Sequence, residues 1–325
     1  MKTNTYILSA FALLAGATAA PVCVAQQYPA RTVRMVVGFP PGGGTDVVAR
    51  IISAKLTETW GQTFVVDNRG GAAGTIGADI VAKSPPDGHT LIMGHVNSHG
   101  IAPNLYKKLP YDPIRDFAMV AYVGYVPNVL VVHPSIPAKT VQDLVALAKA
   151  KPGSLSYASS GVGSTQHLAG EMLTLAAGIK IVHVPYKGSG PAVVDLLAGH
   201  IAMNFDTMPP ILSHVRGNKL RALAVTTPKR APQLASVPTL VESGFKGFEM
   251  TNWYGVMAPA NTHRDIVTKL NAEINKVVMI PDQKTKLEEV GTQLEPQSPE
   301  DFAKFLRAEI AKYAKVVKDA KVSID

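Results

Sequence analysis

Short apolar runs rich in β-branched residues alternate with segments of helical periodicity along nearly the whole chain. This alternation is typical of an α/β protein with mostly parallel sheets flanked by helices. Strands are predicted over Val33–Phe39, Phe64–Asn68, Thr90–Gly94, Val120–Tyr125, Val129–His133, Leu155–Ala158, Ile181–Pro185, Ile201–Phe205, Ala222–Thr226 and Trp253–Ala258. Helices are predicted between them over Val47–Trp60, Ile76–Lys83, Val141–Lys151, Gln166–Ala177, Ala192–Gly199 and Pro210–Arg216.

The last part of the chain is predicted to be helical. Ser298 and Pro299 precede two acidic residues, which is the pattern of a helix N-terminus. Apolar residues then recur at helical spacing, so that one face of this helix is expected to be buried. These residues are Phe302, Leu306, Ile310, Tyr313 and Val317.

The glycine-rich segment Met35–Asp46 is the most informative part of the sequence. An apolar run stops at two prolines, three glycines follow, and Thr45 or Asp46 is placed to cap the next helix. The first N–H groups of a helix have no intrahelical acceptor and lie at the positive end of its dipole. Glycines let a ligand approach the main chain closely. The segment therefore predicts an anion site, with Phe39 as a pocket wall.

The residues of this loop indicate which kind of anion it binds. No Gly-Lys-Ser/Thr follows the glycines, and the G-x-G-x-x-G pattern of dinucleotide sites is absent from the loop. We therefore favour a carboxylate over a triphosphate and expect no cofactor.

Two further glycine-rich segments also join a strand to a helix. In Asn68–Gly77 a second set of main-chain donors could face the first loop, while Arg69 either pairs with a ligand carboxylate or, as we favour, with Asp46 or Asp67. In Tyr157–His167 the following helix is capped by Ser164 or Thr165. Because ligands of open α/β sheets bind at the carboxyl ends of strands, two such loops from two domains would form a two-sided clamp.

Two side chains at predicted strand ends are candidates for the pocket. His95 follows the third strand, where a ligand pocket would be lined. Asp206 follows the strand Ile201–Phe205 and is either a ligand contact, which we favour, or a cap of the next helix.

The N-terminus has the pattern of a signal peptide. Lys2 gives a positive start, Tyr6–Ala15 is apolar but too short to span a bilayer, and small residues follow. We expect cleavage between Ala25 and Gln26, which removes the sole cysteine, Cys23, and leaves a periplasmic protein.

Charge and motif spacing argue against several functions. The net charge is +8, and removal of Lys2 leaves +7, but the basic residues are scattered and lack interleaved aromatics, so nucleic-acid binding is not expected. The histidines show no metal-site spacing. No G-x-S-x-G motif is present, which disfavours a serine hydrolase.

Taken together, the motifs resemble the Bug family of TctC-like solute receptors of tripartite tricarboxylate transporters. In the first half the resemblance rests on Tyr28-Pro29, Phe39–Asp46, Asn68–Gly77 and Asp87–Leu91. In the second half it rests on Tyr157–Thr165, His183–Gly188, Asp195–Gly199 and Val237–Thr239.

The resemblance implies a two-domain clamshell like that of type II periplasmic receptors. Residues 1–25 would be the signal peptide, 26–125 plus 251–325 a discontinuous first domain, and 126–250 the second. One ligand carboxylate would meet the main chain near Phe39, Gly43, Gly44 and Thr45, with Asp46 beside them and Gly71, Ala72 and Gly74 in support. The other end of the ligand would meet Ser159, Gly163, Ser164, Thr165 and Asp206, while His95, which varies among relatives, would help to set the choice of ligand.

The resemblance also implies a function. The chain would be a non-enzymatic receptor for a small carboxylate: a di- or tricarboxylate, an acidic amino acid or an aromatic acid. Separately, we expect a monomer because nothing in the sequence suggests an oligomer interface. Its partners would be the membrane subunits of a tripartite tricarboxylate transporter. The alternatives are a sensory adaptor that presents its ligand to a sensor-kinase ectodomain, or an exported hydrolase or lyase.

Overall fold

The computed structural model describes residues 28–320 and residue 322. The predicted signal peptide and its cleavage site therefore lie outside the described residues. The strands are β1 Val33–Val37, β2 Phe64–Asn68, β3 Thr90–His95, β4 Phe117–Val132, β5 Ser156–Ser159, β6 Val182–Pro185, β7 Met203–Thr207, β8 Arg221–Val225, β9 Thr251–Pro259 and β10 Gln293–Leu294. The α-helices are α1 Gly44–Trp60, α2 Thr75–Ala82, α3 Val141–Ala150, α4 Thr165–Ala177, α5 Ser189–Leu197, α6 Met208–Arg216, α7 Arg264–Met279, α8 Pro281–Glu289 and α9 Pro299–Ala320.

The strands follow the order β2-β1-β3-β9-β4-β7-β5-β6, with β8 and β10 also paired to β4. Pairing is parallel at both ends, where β1 joins β2 and β3, and where β5 joins β6 and β7. It is antiparallel around β4 and β9. The predicted α/β architecture is confirmed. The sheet is mixed because β4 and β9 are antiparallel to their neighbours.

Strand β4 joins the two halves of the molecule. The sequence predicted two strands here, but Phe117–Val132 is one continuous strand. Pro127 is the last residue paired with β9, and Asn128 is the first paired with β7. Since proline has no N–H for a ladder hydrogen bond, it is accommodated where the strand changes partners.

Buried polar groups lie at this crossing. The Asn128 N–H donates to Thr226 Oγ1 at 3.0 Å, and the same hydroxyl donates to the Met250 carbonyl at 2.6 Å. The two parts of the sheet thus meet beside residues 127–128 and 250–251. Domain bounds of 125/126 and 250/251 stay a prediction.

The predicted apolar stripe of α9 is buried. Phe302, Leu306, Tyr313 and Val317 are at most 7% exposed, while Ile310 is partly buried against the same core. The Phe302 ring lies edge-on to Trp253 of β9, with ring centroids 5.8 Å apart. The C-terminal helix therefore completes the core around β4 and β9.

Other boundaries shift by a few residues. Helix α5 begins at Ser189 rather than at the predicted Ala192, and α6 begins at Met208 rather than Pro210. Helices α7 and α8 and the short strand β10 were not predicted individually, although the region was expected to be helical. Among the described residues, none of the helices combines the length and apolar character needed to cross a bilayer.

Candidate functional site

The first glycine-rich loop leads into an uncapped helix. Helix α1 begins at Gly44, with Gly43 as an extended N-cap residue and no side-chain cap. The prediction that Thr45 or Asp46 caps the helix was wrong, because both residues lie inside its first turn. The first helical hydrogen bond runs from Val47 N–H to Gly43 O. The earlier N–H groups of the turn are therefore free of intrahelical acceptors.

Asp46 holds the shape of this loop. Its carboxylate accepts hydrogen bonds from the Gly42 N–H at 3.0 Å, from Arg50 at 3.0 Å and from Asn68 Nδ2 at 2.9 Å. Burial by itself raises the pKa of Asp46, but these hydrogen bonds and the Arg50 charge lower it below its ordinary value. Asn68 also donates to the Phe39 carbonyl at 2.9 Å. The carboxylate is thus engaged within the loop, and a ligand contact by Asp46 stays a prediction.

A small cavity lies between this loop and the second half of the chain. Its volume is about 20 Å³, which is room for roughly one water molecule. It contains five of the predicted site residues, together with four residues that sequence reasoning missed. The lining residues are Phe39, Gly43, Gly44, Thr45, His95, Ser160, Gln166, Ser189 and Thr207.

The two halves touch around this cavity. A Cβ added to Gly190 would lie 2.5 Å from the Pro41 carbonyl oxygen, and one added to Gly188 would lie 2.5 Å from Pro40 Cδ. The Thr165 N–H donates to Asn97 Oδ1 at 3.1 Å, and its hydroxyl donates to Asn252 Oδ1 at 2.7 Å. The structure is therefore closed over the cavity, and Thr165 ties the two halves together.

An aromatic wall supports the first loop. The Phe39 ring lies 5.1 Å from the His95 ring, which lies 5.6 Å from Tyr254. Burial, with a smaller effect of His99, lowers the pKa of His95 to about 3, so the ring is neutral. Because His95 Nδ1 accepts the Asn97 N–H at 3.1 Å, the ring proton is on Nε2. His95 thus lines the cavity as a neutral donor.

The second glycine-rich segment buttresses this wall from outside the cavity. Ala72 and Ala73 have φ angles of 46° and 52°, and Gly74 has a φ of 96°. A Cβ at Gly74 would lie 2.9 Å from the Phe39 ring. Gly74 therefore lies behind Phe39. None of the predicted residues Gly71, Ala72 and Gly74 lines the cavity, and their contact with a ligand stays a prediction. The favoured pairing of Arg69 is confirmed, since its Nε lies 3.0 Å from Asp67 Oδ1.

The third glycine-rich segment, Tyr157–His167, is held by hydrogen bonds between its own residues. Ser164 caps α4 through a hydrogen bond from the His167 N–H, which confirms one of the two predicted caps. The Gly161 N–H donates to Ser159 Oγ and the Gly163 N–H donates to His167 Nδ1, each at 3.1 Å. Ser159, Gly163 and Ser164 are thus occupied by hydrogen bonds within this segment, and Thr165 by those to Asn97 and Asn252. Their contact with a ligand stays a prediction.

Ser159 also contacts a histidine that the sequence did not single out. Its Oγ lies 2.6 Å from His183 Nε2, and His183 stacks on His167 with centroids 4.0 Å apart. Ser159 has no exposed surface and does not line the cavity. A catalytic serine must be accessible to its substrate. Because Ser159 is buried, we interpret its contact with His183 as one that stabilises the loop.

Asp206 lies directly behind the cavity. It is fully buried, and its Oδ1 accepts hydrogen bonds from Ser189 Oγ at 2.6 Å, from the Thr207 N–H at 2.7 Å and from Gln166 Nε2 at 3.4 Å. Burial raises the pKa of Asp206 to about 6 despite these donors. Three residues that line the cavity are therefore oriented by one buried carboxyl group.

A larger cavity of about 620 Å³ lies on other elements, between β4, α9 and the loop after β8. It shares no lining residue with the small cavity, and its walls mix aromatic rings with both signs of charge, including Tyr122, Lys229, Arg230, Glu295 and Glu309. We place the candidate site at the small cavity because the uncapped start of α1, Gly44 and Thr45, lines it. Among the described residues there is no cluster of side chains suited to hold a metal ion.

The two-lobe α/β fold closed over a cavity at its strand ends is that of a periplasmic solute-binding protein. The family model described as "Tripartite tricarboxylate transporter family receptor" (TctC) matches residues 48–322. The chain belongs to this family, which includes the Bug proteins.

Three relatives illustrate the similarity. BugT of Bordetella pertussis is 39% identical over 314 residues, which cover 96% of each chain. The structure of R. palustris Rpa4515 with adipate is 40% identical, has a TM-score of 0.88, and is matched over 91% of this chain and 99% of its own. MatC from Rhodopseudomonas palustris with bound malate is 34% identical, with a TM-score of 0.85, over 89% of this chain and 100% of its own.

Proposed function

We propose that this receptor captures a small carboxylate between its two lobes and presents it to the membrane subunits of a tripartite tricarboxylate-type transporter. The observation that carries the proposal is the uncapped start of α1 at the interlobe cavity. The N–H groups of Gly44 and Thr45 and the neutral His95 ring all supply donors there. A helix N-terminus of this kind stabilises an anion without a full opposite charge.

The relatives support a carboxylate in particular. Two related structures hold adipate and malate as bound molecules. Both are small carboxylates, and both proteins share the fold over about nine-tenths of this chain. We therefore assign one ligand carboxylate to Phe39, Gly43, Gly44 and Thr45, and the rest of the ligand to the facing wall formed by Ser160, Gln166, Ser189 and Thr207.

Capture requires the lobes to open. A cavity of about 20 Å³ cannot hold a molecule with several non-hydrogen atoms. We propose that the first lobe comprises residues 26–125 and 251–325, the second comprises 126–250, and the ligand enters when they separate around residues 127–128 and 250–251. Closure on the ligand would then give the shape that membrane partners recognise.

The proposed setting is the periplasm, after cleavage between Ala25 and Gln26, with the protein acting as a monomer. A sensory adaptor that presents the same ligand to a sensor kinase uses identical binding chemistry and differs only in its partner. Neighbouring genes for transporter subunits or for a sensor distinguish the two roles. An exported hydrolase or lyase is disfavoured because, among the described residues, the serines whose side chains contact a histidine ring, Ser98, Ser135 and Ser159, do not line the cavity.

A thermal-shift screen of the mature protein tests the proposal. The panel contains succinate, citrate, glutamate, adipate, benzoate, nicotinate and terephthalate. A ligand at 100 times its dissociation constant adds about 2.7 kcal/mol to stability, which raises the melting temperature by several degrees. We expect selective shifts from one class of acid, with no turnover of the compound. Folded, ligand-free protein that responds to none of these acids would contradict a carboxylate receptor.

A further inference from the structure

Two hydrogen bonds between the proposed lobes converge on Thr165. This residue opens α4 in the second lobe and has no exposed surface. Its N–H donates to Asn97 Oδ1 at 3.1 Å, and its hydroxyl donates to Asn252 Oδ1 at 2.7 Å. Asn97 follows β3 and Asn252 lies on β9, so both acceptors belong to the first lobe. The start of α4 is therefore tied to the first lobe at two points.

The start of α4 thus differs from the start of α1. Both helices begin with N–H groups that have no intrahelical acceptor. At α4 the N–H of Thr165 is satisfied by the Asn97 side chain from across the lobe interface. Asn97 and Asn252 are at most 1% exposed. Because water is excluded from these bonds, they are electrostatically stronger than bonds in solvent. They stabilise the closed arrangement through protein groups alone.

The closed arrangement has no room for a solute of several non-hydrogen atoms. Its cavity has a volume of about 20 Å³, which holds roughly one water molecule. Thr165 does not line this cavity, although the next residue, Gln166, does. A solute can enter only when the lobes separate, and separation breaks both Thr165 bonds because their donors and acceptors are on different lobes. The Thr165 bonds therefore oppose solute entry without touching the solute.

The Asn97 amide limits how strongly this contact holds. Its oxygen accepts the Thr165 N–H, but its Nδ2 is buried and has no hydrogen-bond partner among the described residues. A buried donor without a partner costs free energy, since it has given up its bonds to water. When the lobes separate, the Asn97 amide regains water as it loses Thr165. This offsets part of the gain from the two hydrogen bonds, so the contact can open reversibly.

We propose that Thr165, Asn97 and Asn252 form a latch that keeps most of the solute-free receptor closed, and that the open fraction sets the rate of solute entry. This inference rests on the proposed receptor and deepens it, because it names what regulates entry to the same site. Thr165 is a positioning residue that acts on the lobes. When only a fraction of a protein is competent to bind, the apparent affinity is reduced by that fraction.

Stopped-flow binding to the Thr165→Val protein tests the latch. The probe is the acid that gives the largest thermal shift with the wild type, and tryptophan fluorescence follows its binding. Valine removes the hydroxyl at nearly the same volume, so the bond to Asn252 is lost while the N–H to Asn97 remains. We expect the association rate constant to rise at least threefold, because more of the solute-free receptor is open. A rise in the dissociation rate alone would make Thr165 a solute contact and overturn the latch.

Small-angle X-ray scattering gives a second readout that needs no solute. We expect the solute-free Thr165→Val protein to have a larger radius of gyration than the solute-free wild type. An unchanged radius of gyration would overturn the latch, whatever the binding rates. If the wild type binds none of the acids, the proposed carboxylate receptor is overturned, and the scattering comparison still decides the latch.

Two further variants separate the latch from other effects of substitution. Thr165→Ser keeps the hydroxyl and is expected to restore the wild-type radius of gyration and association rate. Thr174→Val makes the same change on the same helix, where the hydroxyl has no hydrogen-bond partner among the described residues, and is expected to behave like the wild type. Thermal unfolding establishes whether Thr165→Val folds. If it does not, Asn97→Ala removes the other bond from the first lobe and takes its place, with the same expected increases.

Discussion

Replacing Gly44 by alanine is expected to weaken solute binding by roughly one to two orders of magnitude. The added Cβ would lie 2.5 Å from the Tyr254 hydroxyl and 2.7 Å from Thr207 Oγ1. Tyr254 is on β9 of the proposed first lobe, and Thr207 ends β7 of the second lobe. The methyl group would therefore occupy the carboxylate position and hold the lobes apart, and overpacking of this kind costs about 1–3 kcal/mol. Calorimetric titration with the acid that gives the largest thermal shift measures the loss.

Glu58→Ala, on the exposed face of the same helix, is the control for this experiment. The Glu58 side chain is 69% exposed and pairs with Lys55 at 2.6 Å, away from the start of α1. We expect its affinity to stay within a few-fold of wild type. Equal affinity of the Gly44→Ala protein and this control would exclude the start of α1 as the ligand site.

Replacing Phe302 by alanine is expected to reduce the free energy of unfolding by about 3–5 kcal/mol. Phe302 has no exposed surface, and its ring lies 5.8 Å from Trp253 and 5.5 Å from Tyr122. It packs so closely on β9 that Gly255 has no room for a Cβ. The cavity left by the substitution lies between α9, β4 and β9, so its cost measures how strongly the C-terminal helix holds the first lobe together. Denaturant unfolding measures this change.

Lys304→Ala, on the exposed face of the same helix, is the control. We expect its free energy of unfolding to change by about 0.5 kcal/mol or less, because an exposed ion pair contributes little. A similar small change for Phe302→Ala would show that α9 is not part of the first-lobe core. The discontinuous first domain proposed above would then lose its main support.

The fold was largely predictable because its signals are local. Strand β2 was predicted to the residue, and the apolar stripe of α9 was recognised from its spacing. A domain bound was placed at residues 125/126, but the single strand that runs through it was not predicted, because the partner strand on each side of Pro127 lies far away in the sequence. Local propensity reads that proline as a break, whereas the sheet accommodates it at a change of partner.

The site was only partly predictable for a similar reason. The first loop was found because strand, glycines and helix are consecutive, and Phe39, Gly43, Gly44, Thr45 and His95 do line the cavity. Ser160, Gln166, Ser189 and Thr207 were missed, since hydroxyl and amide side chains are common. Only hydrogen bonds bring them together, to Asp206 for three of them and to Gln166 for Ser160. The Ser-Gly pair that opens α5, close to Gly188, was a signal that could have been followed.

The N-cap residue of α1 differs from the one that the sequence predicted. Thr45 and Asp46 are both good N-cap residues, yet Gly43 occupies that position. Asp46 instead folds back on Gly42, Arg50 and Asn68. This arrangement leaves the first N–H groups of α1 without a side-chain acceptor, as a site for a ligand carboxylate requires.

A crystal structure of the mature protein with the acid that gives the largest thermal shift tests the central claim most directly. We expect one carboxylate oxygen within about 3 Å of the main-chain nitrogen of Gly44 or Thr45, directly or through one ordered water, with the lobes closed around it. A ligand bound instead in the cavity between β4, α9 and the loop after β8, with the start of α1 facing only solvent, would contradict the account.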